Sequence, residues 1–180
     1  FGARGNFFAR CVATDMAAAV ECLKSAARHK GASVVEVLQN CVIFNNGTHN
    51  WIADREMRTE RSIVLHHGEK MIFGKNQDKG LALDYSQGII PQLIVVHADD
   101  NRVLTHDAKT TDPTLHRMLA MMGQEDSAAL QPLPIALGVI RMVEDSTYDM
   151  SVNQQINQVR EQSKVKSFDE LTATLEQWEI

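Results

Sequence analysis

Apolar and polar positions alternate in blocks of distinct length along this chain. Residues 6 to 13, Asn-Phe-Phe-Ala-Arg-Cys-Val-Ala, form a mostly apolar run of strand length that ends at Thr14-Asp15. Asp15 is a residue type that caps helices, and Met16 to His29 is Ala-rich with helical spacing. Glu21, Lys24, Ser25 and Arg28 mark its wet face, and Val20, Leu23 and Ala27 its expected dry face. Arg28-His29-Lys30 suits the negative end of the helix, and Gly31 is the expected left-handed stop. Valine-rich Ala32 to Leu38 predicts a second buried strand. Strand, helix and strand in this order predict an α/β fold with a right-handed crossover between parallel strands. Both strands then finish on one edge, at Thr14-Asp15 and at Asn40-Cys41. Ligands gather outside the carboxyl ends of strands in such sheets, so Cys41 stands where chemistry tends to occur.

Beyond Phe44 the pattern breaks. Asn45-Asn46-Gly47 is a turn signal, and residues 48 to 62 are polar without clear period, which predicts a long connector or irregular helical excursion. Short strands are expected at Ile63 to Leu65, Met71 to Phe73 and Gln92 to Ala98, with a further one at Val103 to Thr105. Asp112-Pro113 should open a helix running to about Met122, with proline at its first position. Pro134 to Met142 predicts a strand. Ser151 to Lys164 and Ser167 to Trp178 predict helices opened by serine caps, the second with Glu170 as a capping box. Their apolar stripes (Val152, Ile156, Val159; Leu171, Leu175, Trp178) suit docking on the body or on another subunit.

The chain has 180 residues and a net charge of −5 with dispersed basic residues, which argues against nucleic acid as a partner. The apolar runs Leu93–Val96 and Ile135–Ile140 are strand-sized and too short to cross a bilayer, and no secretory signal is visible, so a cytoplasmic protein is expected. An opening at Phe1, inside an apolar segment, predicts residues upstream. Three cysteines at 11, 22 and 41 form no CxxC pair. A self-contained zinc or iron–sulfur site usually needs four ligands, so co-ligands of any metal-binding cysteine must come from elsewhere.

Cys41 therefore has two readings, a ligand completed from outside this segment or a small packed hydrophobe. Cys11 within a strand and Cys22 within a helix are expected in the core. His66 and His67, adjacent in a strand, would point to opposite faces and cannot share an ion easily. His97 and His106-Asp107 are too isolated for a triad. Gly74-Lys75-Asn76-Gln77-Asp78-Lys79-Gly80 lacks the order of a phosphate loop and predicts a surface loop whose lysines could meet a partner. Asn46-Gly47-Thr48 matches a glycosylation sequon, which a cytoplasmic protein would never present to the transferase. Met118, Met121 and Met122 are expected to fill a core beside their helix.

The stretch Arg28-His29-Lys30-Gly31 through Val35-Glu36-Val37-Leu38-Gln39-Asn40-Cys41-Val42-Ile43-Phe44-Asn45 resembles the beta subunits of 2-oxoacid:ferredoxin oxidoreductases. Gly2-Ala3-Arg4, Phe8-Ala9-Arg10 and Thr14-Asp15 agree in register, as does His67-Gly68-Glu69-Lys70-Met71-Ile72-Phe73-Gly74. The likeness is dense over residues 1 to 80 and sporadic afterwards, with Gly138-Val139-Ile140-Arg141 a late point of agreement. Gln39-Asn40-Cys41 with Phe44-Asn45 is closest to the 2-oxoglutarate branch, and Asn46 stands where relatives often carry aspartate.

The resemblance implies several properties. Residues 1–62 would be the C-terminal portion of a thiamine-diphosphate-binding parallel-sheet domain, and 63–180 a mixed α/β extension at a subunit interface. The family decarboxylates a 2-oxoacid oxidatively on thiamine diphosphate with coenzyme A as acceptor, and passes electrons through a 4Fe–4S cluster to ferredoxin. Many members run in reverse and fix carbon dioxide. Cys41 matches the family's late cluster cysteine, an iron ligand. The other cluster cysteines and the ligands of thiamine diphosphate and Mg2+ would lie upstream of Phe1, and partners would include the alpha subunit.

Overall fold

The computed structural model describes residues 1–2, 5–86, 88–123 and 133–173. The chain forms two compact units, Phe1–Asp145 and Ser146–Ile180.

The first unit is built on a four-stranded sheet. Its first strand, β1 (Phe7–Val12), leads into α1 (Met16–Arg28) and then β2 (Ser33–Leu38). β1 and β2 pair in parallel, Cys11 opposite Val37 and Arg10 opposite Glu36. Asp15 caps α1 as expected, its Oδ1 accepting the Ala18 amide at 3.2 Å. The helix stops at an extended His29, so Gly31 (φ +122°) lies past the terminus rather than at it. A polar connector follows as two short helices, α2 (Asn50–Ala53) and α3 (Arg55–Arg61), which run into β3 (Ser62–Leu65).

A second, antiparallel sheet holds β4 (Ile72–Phe73), β5 (Lys79–Asp84) and β6 (Gln92–His97) in that order. β5 has no counterpart in the sequence reading, which treats Gly74 to Gly80 as a loop. Lys79-Gly80-Leu81-Ala82-Leu83-Asp84 has no β-branched residue, so its strand character comes from pairing on both edges. Val103 to Thr105 forms no strand; Thr105 makes one isolated bridge to Lys70. Next come α4 (Thr114–Met121) and β7 (Ile135–Met142). Pro113 sits one place before the first helical residue, at the cap.

β7 is inserted between β1 and β3, giving the order β2-β1-β7-β3. It runs antiparallel to β1 and parallel to β3. The sheet is therefore mixed, where the sequence predicts a parallel one. β3 and β7 belong to residues 63–180 almost entirely, yet they share a sheet with β1 and β2. The compact units divide at Asp145/Ser146, well past the boundary after residue 62 that the sequence reading uses. Gly138 carries φ +88°, and a Cβ there would stand 2.8 Å from the Leu65 carbonyl oxygen of the neighbouring strand. Only glycine suits both conditions.

Phe7, Ala9 and Cys11 of β1 pack against Ala19 and Cys22 of α1. This corrects the expected dry face of the helix: Val20 and Leu23 are exposed, and the small residues Ala19 and Cys22 are buried. Small side chains let the helix axis approach the sheet closely. The opposite face meets a core of Ile63, Leu65, Leu81, Leu119, Ala136 and Ile140. β2, expected to be buried, is an edge strand with Val34 and Val37 exposed. Of the three methionines expected in the core, Met122 is buried and Met121 is exposed.

In the second unit, α5 (Tyr148–Gln162) is capped by Thr147, not by Ser151, and has no buried residue. α6 (Phe168–Ala173) begins after Ser167, whose hydroxyl accepts the Glu170 amide at 3.2 Å. The Glu170 carboxylate accepts the Lys166 amide instead of closing a full capping box. Leu175 and Trp178 lie outside the described residues.

Candidate functional site

The carboxyl edge of the β1–β2 pair is braced before any candidate residue is reached. The Ala13 amide donates to the Leu38 carbonyl at 2.9 Å, tying the two strand ends together. The Thr14 hydroxyl donates to Ala53 O, and the Arg58 guanidinium reaches Thr14 Oγ1 at 3.1 Å and the Asp15 carboxylate at 3.3 Å. Asp15 thus serves two elements, as cap of α1 and as counter-ion of α3.

Cys41 stands three residues beyond the end of β2, at the rim the sequence predicts, with a partly exposed free thiol. It begins a tight loop in which the Asn45 amide returns to the Cys41 carbonyl at 2.9 Å. The backbone N–H groups of Phe44 and Ile43, and to a lesser degree Asn45, hold its pKa below the ordinary 9.0 against desolvation. A lowered pKa raises the fraction present as thiolate, which is the nucleophile and the metal-ligating form.

Three asparagines hold this loop, a role the sequence reading did not assign. Asn40 accepts the Gly47 amide on Oδ1 at 2.7 Å and donates from Nδ2 to Asn46 Oδ1 at 3.0 Å. Asn45 donates to the Thr48 hydroxyl at 3.0 Å. The signal lay in the density of asparagines around Cys41, since their side chains substitute for backbone partners in turns. An aspartate at 46 would accept the same Asn40 bond, so Asn46 is compatible with the loop it occupies. Val42, Ile43 and Phe44 project outward, Phe44 with 90% exposure.

Cys11 and Cys22 are buried as expected. Desolvation pushes both thiols upward, Cys22 to about 11. Residues 74 to 78 form the turn of the β4–β5 hairpin and Lys79-Gly80 already belong to β5, with Glu60 of α3 accepting the Lys75 amide and pairing with the Lys79 ammonium. His67 Nδ1 lies 3.4 Å from Asp107, and His97 Nδ1 lies 3.4 Å from Asp99.

His106 is not isolated: it is fully buried 6.1 Å from the equally buried His116. Arg141 donates to His116 Nδ1 at 3.0 Å and to the carbonyls of Gly5, Thr110 and Thr111. Guanidinium can only donate, so His116 is the neutral tautomer carrying its proton on Nε2, which donates to Asp107 O at 2.8 Å. His106 likewise donates from Nε2 to Val139 O at 2.9 Å. This cluster ties β7 to the loop before α4 and is structural.

No family model and no solved structure matches this chain. It is similar to the 2-oxoglutarate oxidoreductase subunit KorB of Mycobacterium tuberculosis, 30% identical over 160 residues. The match takes in 86% of this chain. The chain is related to the beta subunit of a 2-oxoacid oxidoreductase. It spans about two-fifths of that relative's length, 39%. Among the described residues, no helix is long and apolar enough to cross a membrane.

Proposed function

We propose that this chain is part of the beta subunit of a 2-oxoacid:ferredoxin oxidoreductase, and that Cys41 supplies one thiolate to a 4Fe–4S cluster. The whole cytoplasmic complex, with its alpha subunit, would interconvert 2-oxoglutarate, coenzyme A and oxidised ferredoxin with succinyl-CoA, carbon dioxide and reduced ferredoxin. The observation that carries this reading is the partly exposed free thiol of Cys41 just beyond the carboxyl end of β2, its pKa lowered by neighbouring backbone N–H groups.

The donor chemistry fits one corner of such a cluster. Iron–sulfur clusters are held by thiolates, and N–H donors around sulfur tune their potential. Among the described residues, no three of His, Cys, Asp and Glu converge on a metal-sized site, so the co-ligands of Cys41 would be supplied from elsewhere. A bound cluster would relay single electrons. The residues of this chain would hold one iron, fix the sulfur through Asn40 and Asn45, and shed water from the rim with Val42, Ile43 and Phe44. Residues 1–62 would form one wall of the thiamine-diphosphate domain, whose cofactor and Mg2+ no residue here is assigned to hold.

The test is Cys41→Ser in the assembled complex. Iron per complex should fall, the reduced-cluster electron paramagnetic resonance signal should vanish, and electron transfer to ferredoxin should stop. Unchanged iron with an unchanged signal removes Cys41 from the ligand set. Comparing kcat/KM for 2-oxoglutarate and pyruvate decides the substrate, the pyruvate branch being the alternative.

A second reading, a non-catalytic segment that docks the alpha subunit, draws on the exposed apolar residues of α5, Ile156 and Val159 among them. Replacing both by Gln should split the complex on size exclusion if α5 docks a partner. An intact complex argues against it.

A further inference from the structure

The segment that carries Cys41 has its two ends fastened to neighbouring residues of one strand end. At its start the Ala13 amide donates to Leu38 O at 2.9 Å, and at its finish the Thr14 hydroxyl donates to Ala53 O at 3.0 Å. Residues 39 to 52 therefore leave the sheet and return to one place, as an Ω-loop does. Apolar burial holds little of it. Val42, Ile43 and Phe44 are exposed, and within the loop only Ile52, beside the second foot, is fully buried, in a cluster with Val12, Ile135 and Leu137.

The first foot is a main-chain bond, whereas the second is made by side chains. Thr14 Oγ1 also accepts from Arg58 Nη1 at 3.1 Å, and the same nitrogen lies 3.5 Å from both Ile52 O and Ala53 O. Arg58 Nη2 pairs with the Asp15 carboxylate at 3.3 Å, and the side chain is only 13% exposed. A planar guanidinium can serve several acceptors at fixed angles, which an ammonium cannot. α3 thereby holds the end of α2 against the cap of α1.

From this second foot a series of bonds runs back toward Cys41. The Ile52 and Ala53 amides donate to His49 O, the Asn50 amide to Gly47 O, and the Gly47 amide to Asn40 Oδ1. Asn40 directly precedes Cys41. A displacement at Ala53 thus reaches the cysteine through the loop's own hydrogen bonds.

We propose that Thr14 and Arg58 are positioning residues for Cys41, fixing the second foot of its loop and so the place of its sulfur at the sheet rim. The proposal rests on the reading of Cys41 as a cluster ligand.

Thr14 is exposed, so Thr14→Val, which keeps its shape and removes its hydroxyl, should leave the fold intact. In the assembled complex, hydrogen exchange at the Asn45 and Gly47 amides should accelerate about fivefold, the effect of one lost hydrogen bond. Amides of residues 8 to 11 in β1 should keep their wild-type rates. Thr14→Ser restores the hydroxyl and should restore slow exchange in the loop. Arg58→Lys keeps a cation for Asp15 without the fork, and should accelerate loop exchange as Thr14→Val does. The cluster's reduction potential should move in Thr14→Val and return in Thr14→Ser, because the backbone N–H groups that act on the Cys41 sulfur belong to the same loop. Wild-type loop exchange in either Thr14→Val or Arg58→Lys, equal acceleration in β1, no rescue by serine, or an unmoved potential overturns the proposal. Exchange is read without reference to iron, so the anchoring is decided even where Cys41→Ser leaves the iron unchanged and the ligand reading itself fails.

Discussion

Alkylation with iodoacetamide should separate the three cysteines by chemistry before burial is counted. Cys41 titrates below 9.0, so at pH 7 its thiolate fraction exceeds about 1%, whereas Cys22, pushed up to about 11, is ionised to about 0.01%. Ionisation alone then favours Cys41 by about a hundredfold, and the greater nucleophilicity of the more basic thiolate returns about tenfold of that. A net factor of about ten remains, multiplied by access, because Cys11 and Cys22 are 1% and 3% exposed. The assay is a time course at pH 7 read by peptide mass spectrometry, repeated from pH 6 to 9.5 to place the midpoint for Cys41. That midpoint should fall below the value in a short peptide carrying the same loop sequence. Asn40→Ala, which frees Gly47 and Asn46, should move it upward toward the peptide value. Labelling of Cys11 or Cys22 at a rate like that of Cys41 in the folded chain, or a midpoint equal to the peptide's, would refute the argument that the loop's backbone lowers the Cys41 pKa.

Gly138→Ala should destabilise the first unit by about 2–4 kcal/mol, from positive φ and a Cβ forced against Leu65 O. Its thermal midpoint should drop by about 5–12 °C, and a change under about 2 °C contradicts the strand-contact argument. His106 and His116 are held below their ordinary 6.5, chiefly by burial. The unfolded chain therefore binds more protons below about pH 6.5, so stability is full above that pH and falls as pH drops toward the folded-state values, by up to about 1.4 kcal/mol per pH unit per histidine. Urea midpoints at pH 7.5 and 5.5 check the sign, and a midpoint that rises on acidification contradicts it.

The elements around the candidate site were legible because local signals agreed there. Asp15 as cap, the apolar run of β1 and the valines of β2 all pointed to one crossover, and that crossover placed Cys41 at the rim. What failed was nonlocal. The dry face of α1 was misread because bulk was taken for burial, while the sheet selected Ala19 and Cys22 for close approach. β5 was missed because its strand state depends on β4 and β6. Nothing in Ile135–Met142 announces an antiparallel partner more than a hundred residues earlier. The loop's asparagines were visible as residues but not as a scaffold, since their bonds run to one another across the turn.

The position of β7 bears on how the protein is made and cut. β1 emerges well before its antiparallel neighbour β7, so the four-stranded sheet cannot close during synthesis until residue 142 has left the ribosome. Until then β1 lacks its β7 partner. Any shortened version ending before Ile135 loses the seam that joins β1 to β3, and its failure to assemble would report a broken sheet rather than a lost docking surface.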